Sequence, residues 1–309
     1  MKKTVRRYRV ALTYPLPRRV IDDVVKPWAD VTLVRTRAEL IRALPRMDGV
    51  LTLLTDRVDE PLLQRAARLR AVGNVAVGYD NIDLNACQRR GIAVLNTPDV
   101  LTRATAELTL ALLFATARRI SEGNALCRSG RWRGWDPGQL IGQQLQGRRA
   151  VILGRGRIGR ETAKLLRALG IRAEFITRTD RPSAIANKLN RAQILSIHAP
   201  LTPKTRHWLN AYRLGLLPPD AIVLNTSRGP LIDEAALAAA LARKQIFAAG
   251  LDVYEHEPRI NPRLRKLPNV VLLPHIGSAT AQTREAMARL AAQGVINVLR
   301  GKRAKNRVV

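Results

Sequence analysis

Six short apolar runs in the second half of the chain, each opening into a glycine loop or a polar side chain, restrict its fold more than any other feature. Arg149–Leu153 leads into Gly154-Arg155-Gly156-Arg157-Ile158-Gly159, residues 173–176 into Thr177-Arg178, and Ile194–Ile197 into His198. Residues 221–224 lead into Asn225-Thr226-Ser227-Arg228, 247–251 into Asp252, and 270–273 into Pro274-His275. Segments with helical periodicity separate most of these runs, so they read as strands of a parallel sheet, whose carboxyl ends are where ligands bind. A nucleotide-phosphate loop, an arginine and a histidine then share one crevice, which predicts an enzyme.

The first third repeats the pattern on a smaller scale, with apolar runs at Tyr8–Leu12, 31–34, 49–54, 71–76 and 92–95. The fold class expected is α/β, with two doubly wound parallel-sheet domains: a flavodoxin-like one and a Rossmann dinucleotide-binding one. The boundaries expected are 1–98 plus 283–309 for the first domain and 99–282 for the second. A helix over 103–120, loosely capped by 121–123, opens the second domain, and an amphipathic helix over 283–299 returns to the first. Between 129 and 147 lies an irregular segment carrying two of the four tryptophans, Trp132 and Trp135. It reads either as an arm against another surface, such as a second subunit, or as a loop pinned to its own domain.

A chain of 309 residues, 46% apolar, is long enough for two cores. Cys87 and Cys127 lie outside any CxxC spacing and read as reduced thiols, and the four histidines lack metal-ligand spacing, so no metal is expected. The basic start, Met1 to Arg9, lacks the apolar stretch of a signal peptide, and the longest apolar run, 108–117, is too short to span a bilayer. A soluble cytoplasmic protein is the expectation. The charge is unusual: 53 Lys and Arg against 24 Asp and Glu give +29. Such a field draws anions, but the basic residues are scattered, densest near the two ends (300–307 is one cluster), with no helix-turn-helix or RNP-like motif. Specific nucleic-acid binding is therefore not expected, while anionic substrates and cofactors are.

The glycine loop has the context a dinucleotide fingerprint requires, a strand before it and a helix after it. Gly154 permits the tight turn, Gly156 the approach of a pyrophosphate, and Gly159 the helix–strand contact, with the helix N-terminus supplying N–H donors. Arg155 and Arg157 are further candidates for the pyrophosphate. An NAD site usually ends the next strand in Asp or Glu for the ribose hydroxyls. Here Thr177 stands there, followed by Arg178, Thr179, Asp180 and Arg181. With no carboxylate at the strand end, a 2′-phosphate suits Arg178, Arg181 and the threonine hydroxyls, so NADP is expected in preference to NAD.

Hydride transfer to a ketone needs an anchor for the substrate carboxylate and a proton for the developing alkoxide. Arg228, with its planar fork, suits the first. A histidine suits the second, because an imidazole's pKa rises beside a carboxylate. The residue types alone do not choose among His198, His256 and His275, nor between Glu255 and Glu257.

The glycine loop, 225–234 (NTSRGPLIDE), 250–258 (GLDVYEHEP) and 273–280 (LPHIGSAT), with 74–83 (NVAVGYDNID) and 91–98 (GIAVLNTP), strongly resemble the D-isomer-specific 2-hydroxyacid dehydrogenases. The likeness runs over essentially the whole chain, in order and with matching spacing, and is closest to the glyoxylate/hydroxypyruvate reductase branch.

That resemblance implies NADPH-dependent reduction of a small 2-oxoacid to the D-2-hydroxyacid, with substrate held between the domains. It implies His275 as the acid/base, Glu257 and not Glu255 as its partner, and Arg228 as the grip on carboxylate and carbonyl. The backbone at Val77 and Gly78 receives the carboxylate, and Leu54 and Trp135 wall the substrate pocket. Asp252 holds the nicotinamide carboxamide, Thr105 lies near the nicotinamide, and His198 lines the cofactor cleft without a catalytic role. Ile158, Pro200, Thr205, Thr226, Ser227 and Gly277 complete the expected cofactor contacts. The helix and arm over 103–142 imply a homodimer. Alternatives on the same scaffold are an NAD-preferring dehydrogenase, a dinucleotide-sensing co-repressor-like protein and a formate dehydrogenase. The first keeps all the residues named. The intact Arg–Glu–His set counts against the second, and Glu257, where formate chemistry resembles one using glutamine, against the third. Arg155, where relatives carry an apolar residue, is the main departure.

Overall fold

The computed structural model describes residues 7–309, so the stretch Met1 to Arg6 of the basic start lies outside the described residues. Two compact units divide the chain, one of Met1–Leu101 with Ala279–Val309 and one of Thr102–Ser278.

The first unit is built on five parallel strands, β1 (Tyr8–Leu12), β2 (Ala29–Leu33), β3 (Gly49–Thr52), β4 (Ala71–Asn74) and β5 (Ala93–Leu95), in the order β2-β1-β3-β4-β5. The inner strands β3 and β4 are buried at every position, as apolar runs covered on both faces must be. The helix Ala281–Leu299 covers one face, its first turn capped by Thr280 accepting from the Thr283 N–H at 3.2 Å. Gly49 and Gly73 give it room: a Cβ at either would press within 2.7 Å of the Val295 side chain. The basic C-terminal cluster is partly structural. Arg307 pairs with Leu95 along the open edge of β5, Asn306 is buried and donates to the Asn96 carbonyl at 2.7 Å, and Arg300 lies 3.3 Å over the Trp28 ring.

Six parallel strands form the second unit: β6 (Arg149–Leu153), β7 (Arg172–Ile176), β8 (Ile194–Ile197), β9 (Ile222–Asn225), β10 (Ala248–Leu251) and β11 (Val270–Leu272). Their order, β11-β10-β9-β8-β6-β7, reverses between β6 and β8, the switch point at which open α/β sheets bind ligands. The helix expected over 103–120 is two helices, Thr102–Ala117 and Ile120–Arg128. Arg119 breaks them with a left-handed φ of 52° and binds Glu122 through Nε and Nη2. Among the described residues no helix is long and apolar enough to cross a membrane.

Candidate active site

Because all six strands of the second sheet are parallel, their carboxyl ends lie along one edge, and neighbouring ends are stitched to one another. The Gly154 N–H donates to the Ile176 carbonyl, His198 N–H to Leu153, Asp252 N–H to Asn225 and His275 N–H to Asp252, at 2.8–2.9 Å. The Ser227 hydroxyl donates to the Ala199 carbonyl at 2.7 Å.

The glycine loop fits a dinucleotide. Gly154 has φ of 99°, and a Cβ there would overlap the His198 carbonyl; Gly159 sits directly against the Gly154 carbonyl. Gly156 faces open space and begins the helix Arg157–Ala168 with no side chain capping its first N–H groups. Those N–H groups and the helix dipole suit a pyrophosphate. Arg155 and Arg157 are exposed, Ile158 is half-buried, and the Arg155 guanidinium lies 5.7 Å from the Phe175 ring, toward the end of β7.

At that end the structure corrects the expectation of a strand terminus without a carboxylate. Asp180 folds back so that Oδ2 accepts the Thr177 N–H at 2.7 Å while Oδ1 pairs with Lys188 Nζ at 2.9 Å. The Thr177 N–H, then Lys188, hold Asp180 below the ordinary carboxylate range, so it is an anion whose charge Lys188 offsets. The Thr177 and Thr179 hydroxyls share a 2.9 Å hydrogen bond, and Arg178 and Arg181 are exposed beside them.

The middle of the edge is polar and ordered. Buried Asn225 ties the turn after β9, accepting from the Ser227 N–H at 3.0 Å and donating to the Arg228 carbonyl at 2.9 Å. The Thr226 and Thr109 hydroxyls meet at 2.9 Å, and Thr109 donates to the Thr105 carbonyl. Thr205 donates to the Pro200 carbonyl at 2.7 Å. His198 bonds Ser196 Oγ at 2.8 Å, and burial pushes its imidazole down to about 4, so it is neutral.

Beyond β10 and β11 the chemistry-bearing groups converge. Nδ1 of His275 is 2.8 Å from Glu257 Oε2, and Glu257 Oε1 accepts the Tyr254 N–H at 3.0 Å. Burial works to raise the Glu257 pKa, but its bonds to His275 and Tyr254, with the nearby positive charge of Arg228, bring it below its ordinary value. An ionised carboxylate only accepts, so Nδ1 carries a hydrogen toward Glu257 and Nε2 faces away from it. His275 itself has φ of 55°, a costly conformation for a residue with a side chain. Asp252, fully buried, holds it there: its carboxylate accepts the N–H groups of Ile276 at 2.7 Å and Gly277 at 2.8 Å. Burial raises the Asp252 pKa against the pull of those bonds. Thr105 faces the same Gly277.

Arg228 donates to the Ser227 carbonyl at 2.9 Å. Gly229, next to it, lies directly on the Tyr254–Glu255 peptide, where any Cβ would overlap the Tyr254 carbonyl. Glu255 turns away to His207 Nε2 at 2.5 Å, and its N–H is held by Glu234. Sequence reasoning does not single out Tyr254, Asn225, Thr109 or Lys188. Tyr254 and Asn225 sit inside the family motifs, while nothing marks Thr109 or Lys188.

Within the first unit, Leu54 and Val77-Gly78 come after the neighbouring strands β3 and β4. Asn81 clasps the two loops, donating to the Leu53 and Asp56 carbonyls at 3.1 and 2.9 Å and to Asn74, which donates to Gly78. Trp135 is 83% exposed, the most open large apolar side chain among the described residues. The far end of the arm is pinned, where the Gln143 N–H donates to the Ala117 carbonyl at 2.8 Å and Leu145 is buried.

A doubly wound sheet with a glycine-loop helix at its switch point and a carboxylate-paired histidine at its far end defines a nicotinamide-dinucleotide oxidoreductase. Residues 110–277 match the family described as D-isomer specific 2-hydroxyacid dehydrogenase, NAD binding domain. A glyoxylate reductase of Thermococcus litoralis is 44% identical over 286 residues, covering 88% of this chain and 86% of that one. A glyoxylate reductase of Aeropyrum pernix is 44% identical over 277 residues, covering 84% and 82%. Among solved structures, a Thermus thermophilus protein superposes with a TM-score of 0.92 at 41% identity, over 97% of this chain and all of that one. An NADPH-dependent glyoxylate/hydroxypyruvate reductase of Sinorhizobium meliloti, in complex with NADP and malonate, gives 0.88 at 32% identity, over 98% and 97%. The chain belongs to the D-isomer-specific 2-hydroxyacid dehydrogenase family, in its glyoxylate reductase branch.

Proposed function

We propose that this enzyme reduces glyoxylate and hydroxypyruvate to the corresponding 2-hydroxyacids, using NADPH in preference to NADH. The observation that carries the reading is the His275–Glu257 pair beside the Arg228 turn. Glu257 occupies Nδ1, so Nε2 is the atom that gives a proton to the carbonyl oxygen, and the carboxylate stabilises the charged imidazolium beforehand. Arg228 binds the substrate carboxylate through its planar fork. Asp252 keeps the 275–277 loop in register and offers the nicotinamide carboxamide an acceptor. Bound dinucleotide supplies the hydride that reduces the carbonyl carbon.

The cofactor preference is supported by charge. Asp180 is offset by Lys188, leaving Arg155, Arg178 and Arg181 as an excess of three cations around the Thr177 end. A 2′-phosphate gains from that excess. A homodimer through the helices Thr102–Ala117 and Ile120–Arg128 and the arm is supported by exposed Phe114, Ile120, Trp132, Trp135 and Ile141. A cavity of about 500 Å³ also opens between these helices and the starts of β10 and β11.

The experiment is a panel of glyoxylate, hydroxypyruvate and pyruvate run with NADPH and with NADH, following loss of reduced-nicotinamide absorbance. The reading expects glyoxylate and hydroxypyruvate to turn over, with the higher kcat/KM from NADPH. It fails if no 2-oxoacid is reduced. Equal or better use of NADH would overturn the cofactor assignment alone.

A further inference from the structure

Tyr254 lies at the meeting point of all three catalytic segments, yet the mechanism above uses none of its side chain. It is buried, and its hydroxyl lies 2.7 Å from the Leu273 carbonyl, the nearer acceptor, and 3.3 Å from the Leu251 carbonyl. Its own N–H holds Glu257 Oε1, and its carbonyl is the surface on which Gly229 rests, next to Arg228.

Packing alone does not require the hydroxyl, since a phenylalanine fills the same space. The hydroxyl matters because of the chain just beyond β11. That strand is at the edge of the sheet and its ladder ends at Leu272, so the Leu273 carbonyl has no neighbouring strand to donate to it. The Tyr254 hydroxyl takes that place. Pro274 comes next, with its ring-fixed φ and no N–H to anchor. Then comes His275, in a left-handed conformation, its N–H tied to the Asp252 carbonyl at 2.9 Å. The short link from Leu273 to His275 is thus clamped at both ends, by Tyr254 before Pro274 and by Asp252 after it.

We infer that the Tyr254 hydroxyl is a positioning group that sets the direction in which His275 presents Nε2. This rests on the reading of His275 as the proton donor. The Tyr254 peptide, by holding Glu257 and the Arg228 turn, places the other two groups relative to the same point. A shift of the imidazole by a fraction of an ångström lengthens the path of the proton without disturbing the dinucleotide loop, which is built on β6.

Tyr254→Phe tests this. kcat for glyoxylate reduction falls roughly three- to tenfold, the size one lost hydrogen bond supports. KM for NADPH stays within about twofold, and the solvent deuterium isotope effect on kcat rises because proton delivery has become slower. Unchanged kcat and isotope effect in the variant overturn the inference while leaving the reductase reading in place. A fall in kcat with an unchanged isotope effect and a lowered melting temperature reduces Tyr254 to a structural residue and overturns it too. A second readout does not depend on turnover. In ¹⁵N-histidine-labelled protein the Nδ1–H signal of His275, protected by Glu257, should exchange faster with water in Tyr254→Phe. Equal exchange in the two proteins rejects the proposal even if wild type reduces none of the acids tried.

Discussion

His198 and His275 occupy comparable positions on the second sheet, one directly after β8 and the other three residues past β11, and differ in what faces the ring. His198 meets a hydroxyl, Ser196 Oγ, and burial alone acts on it, holding the imidazole neutral down to about pH 4. His275 meets the Glu257 carboxylate, itself held ionised by the histidine, the Tyr254 N–H and nearby Arg228. A third ring, His207, also has a carboxylate, Glu255, but Arg206 lies 3.7 Å from the same oxygen and shares its charge. A strand end in a parallel sheet therefore places a side chain where ligands bind, and the group opposite it decides whether the ring meets a charge or only a hydroxyl.

The largest effect that sharpens this contrast is at His275. His275→Ala should lower kcat by about 10²–10⁴ while dinucleotide affinity, read by fluorescence titration, is retained. Retention of near wild-type turnover would break the contrast outright. Arg228→Lys comes next, with kcat/KM expected to fall on the order of 10², because an ammonium cannot reproduce two parallel charge-assisted bonds. A loss confined to KM would assign Arg228 to binding alone.

Glu257 gives a stability signature as well. Its pKa in the folded protein lies below the ordinary 4.5, so the stability it contributes is fully present above that pH and is lost as pH falls through the folded value. Calorimetric melting of wild type should therefore drop more steeply below about pH 4.5 than that of Glu257→Gln. Parallel curves would mean that the pair adds nothing to the fold.

His198 is expected to show the smallest catalytic effect. His198→Gln should keep kcat within about threefold, as loss of one neutral hydrogen bond allows. Its depressed pKa makes wild type lose stability as pH falls from 6.5 toward 4, and the variant should lose less over that range. A hundredfold loss of kcat would erase the distinction between the two rings.

How much of this is legible in the chain depends on the kind of interaction. Strands β6 and β8 are readable to the residue, because interior parallel strands are continuous apolar runs bounded by polar turns. Arg228 and His275 are readable as residue types, but only the likeness to a family singles out His275 and Glu257; residue type leaves several histidines open. What escapes is set by local backbone geometry. Asp180 is three residues past Thr177, yet a turn brings its carboxylate back to the strand end. Arg119 interrupts an apolar helical stretch without a glycine or proline to announce it. Nothing in the chain singles out Tyr254, and its hydroxyl acquires a task only once β10 and β11 are side by side. Trp135 is marked by the family likeness alone, and among the described residues it is the most exposed large apolar side chain.

The central claim is that Glu257 acts through His275 and through no other group, and a double-mutant cycle on kcat addresses it most directly. Glu257→Gln in the wild-type background should cost roughly 10- to 100-fold, the range for a charged hydrogen-bond partner. The same substitution in a His275→Ala background should cost less than about twofold, because the ring it serves is gone. Equal losses in the two backgrounds would show that the carboxylate and the imidazole work independently, and the pair would no longer explain the site.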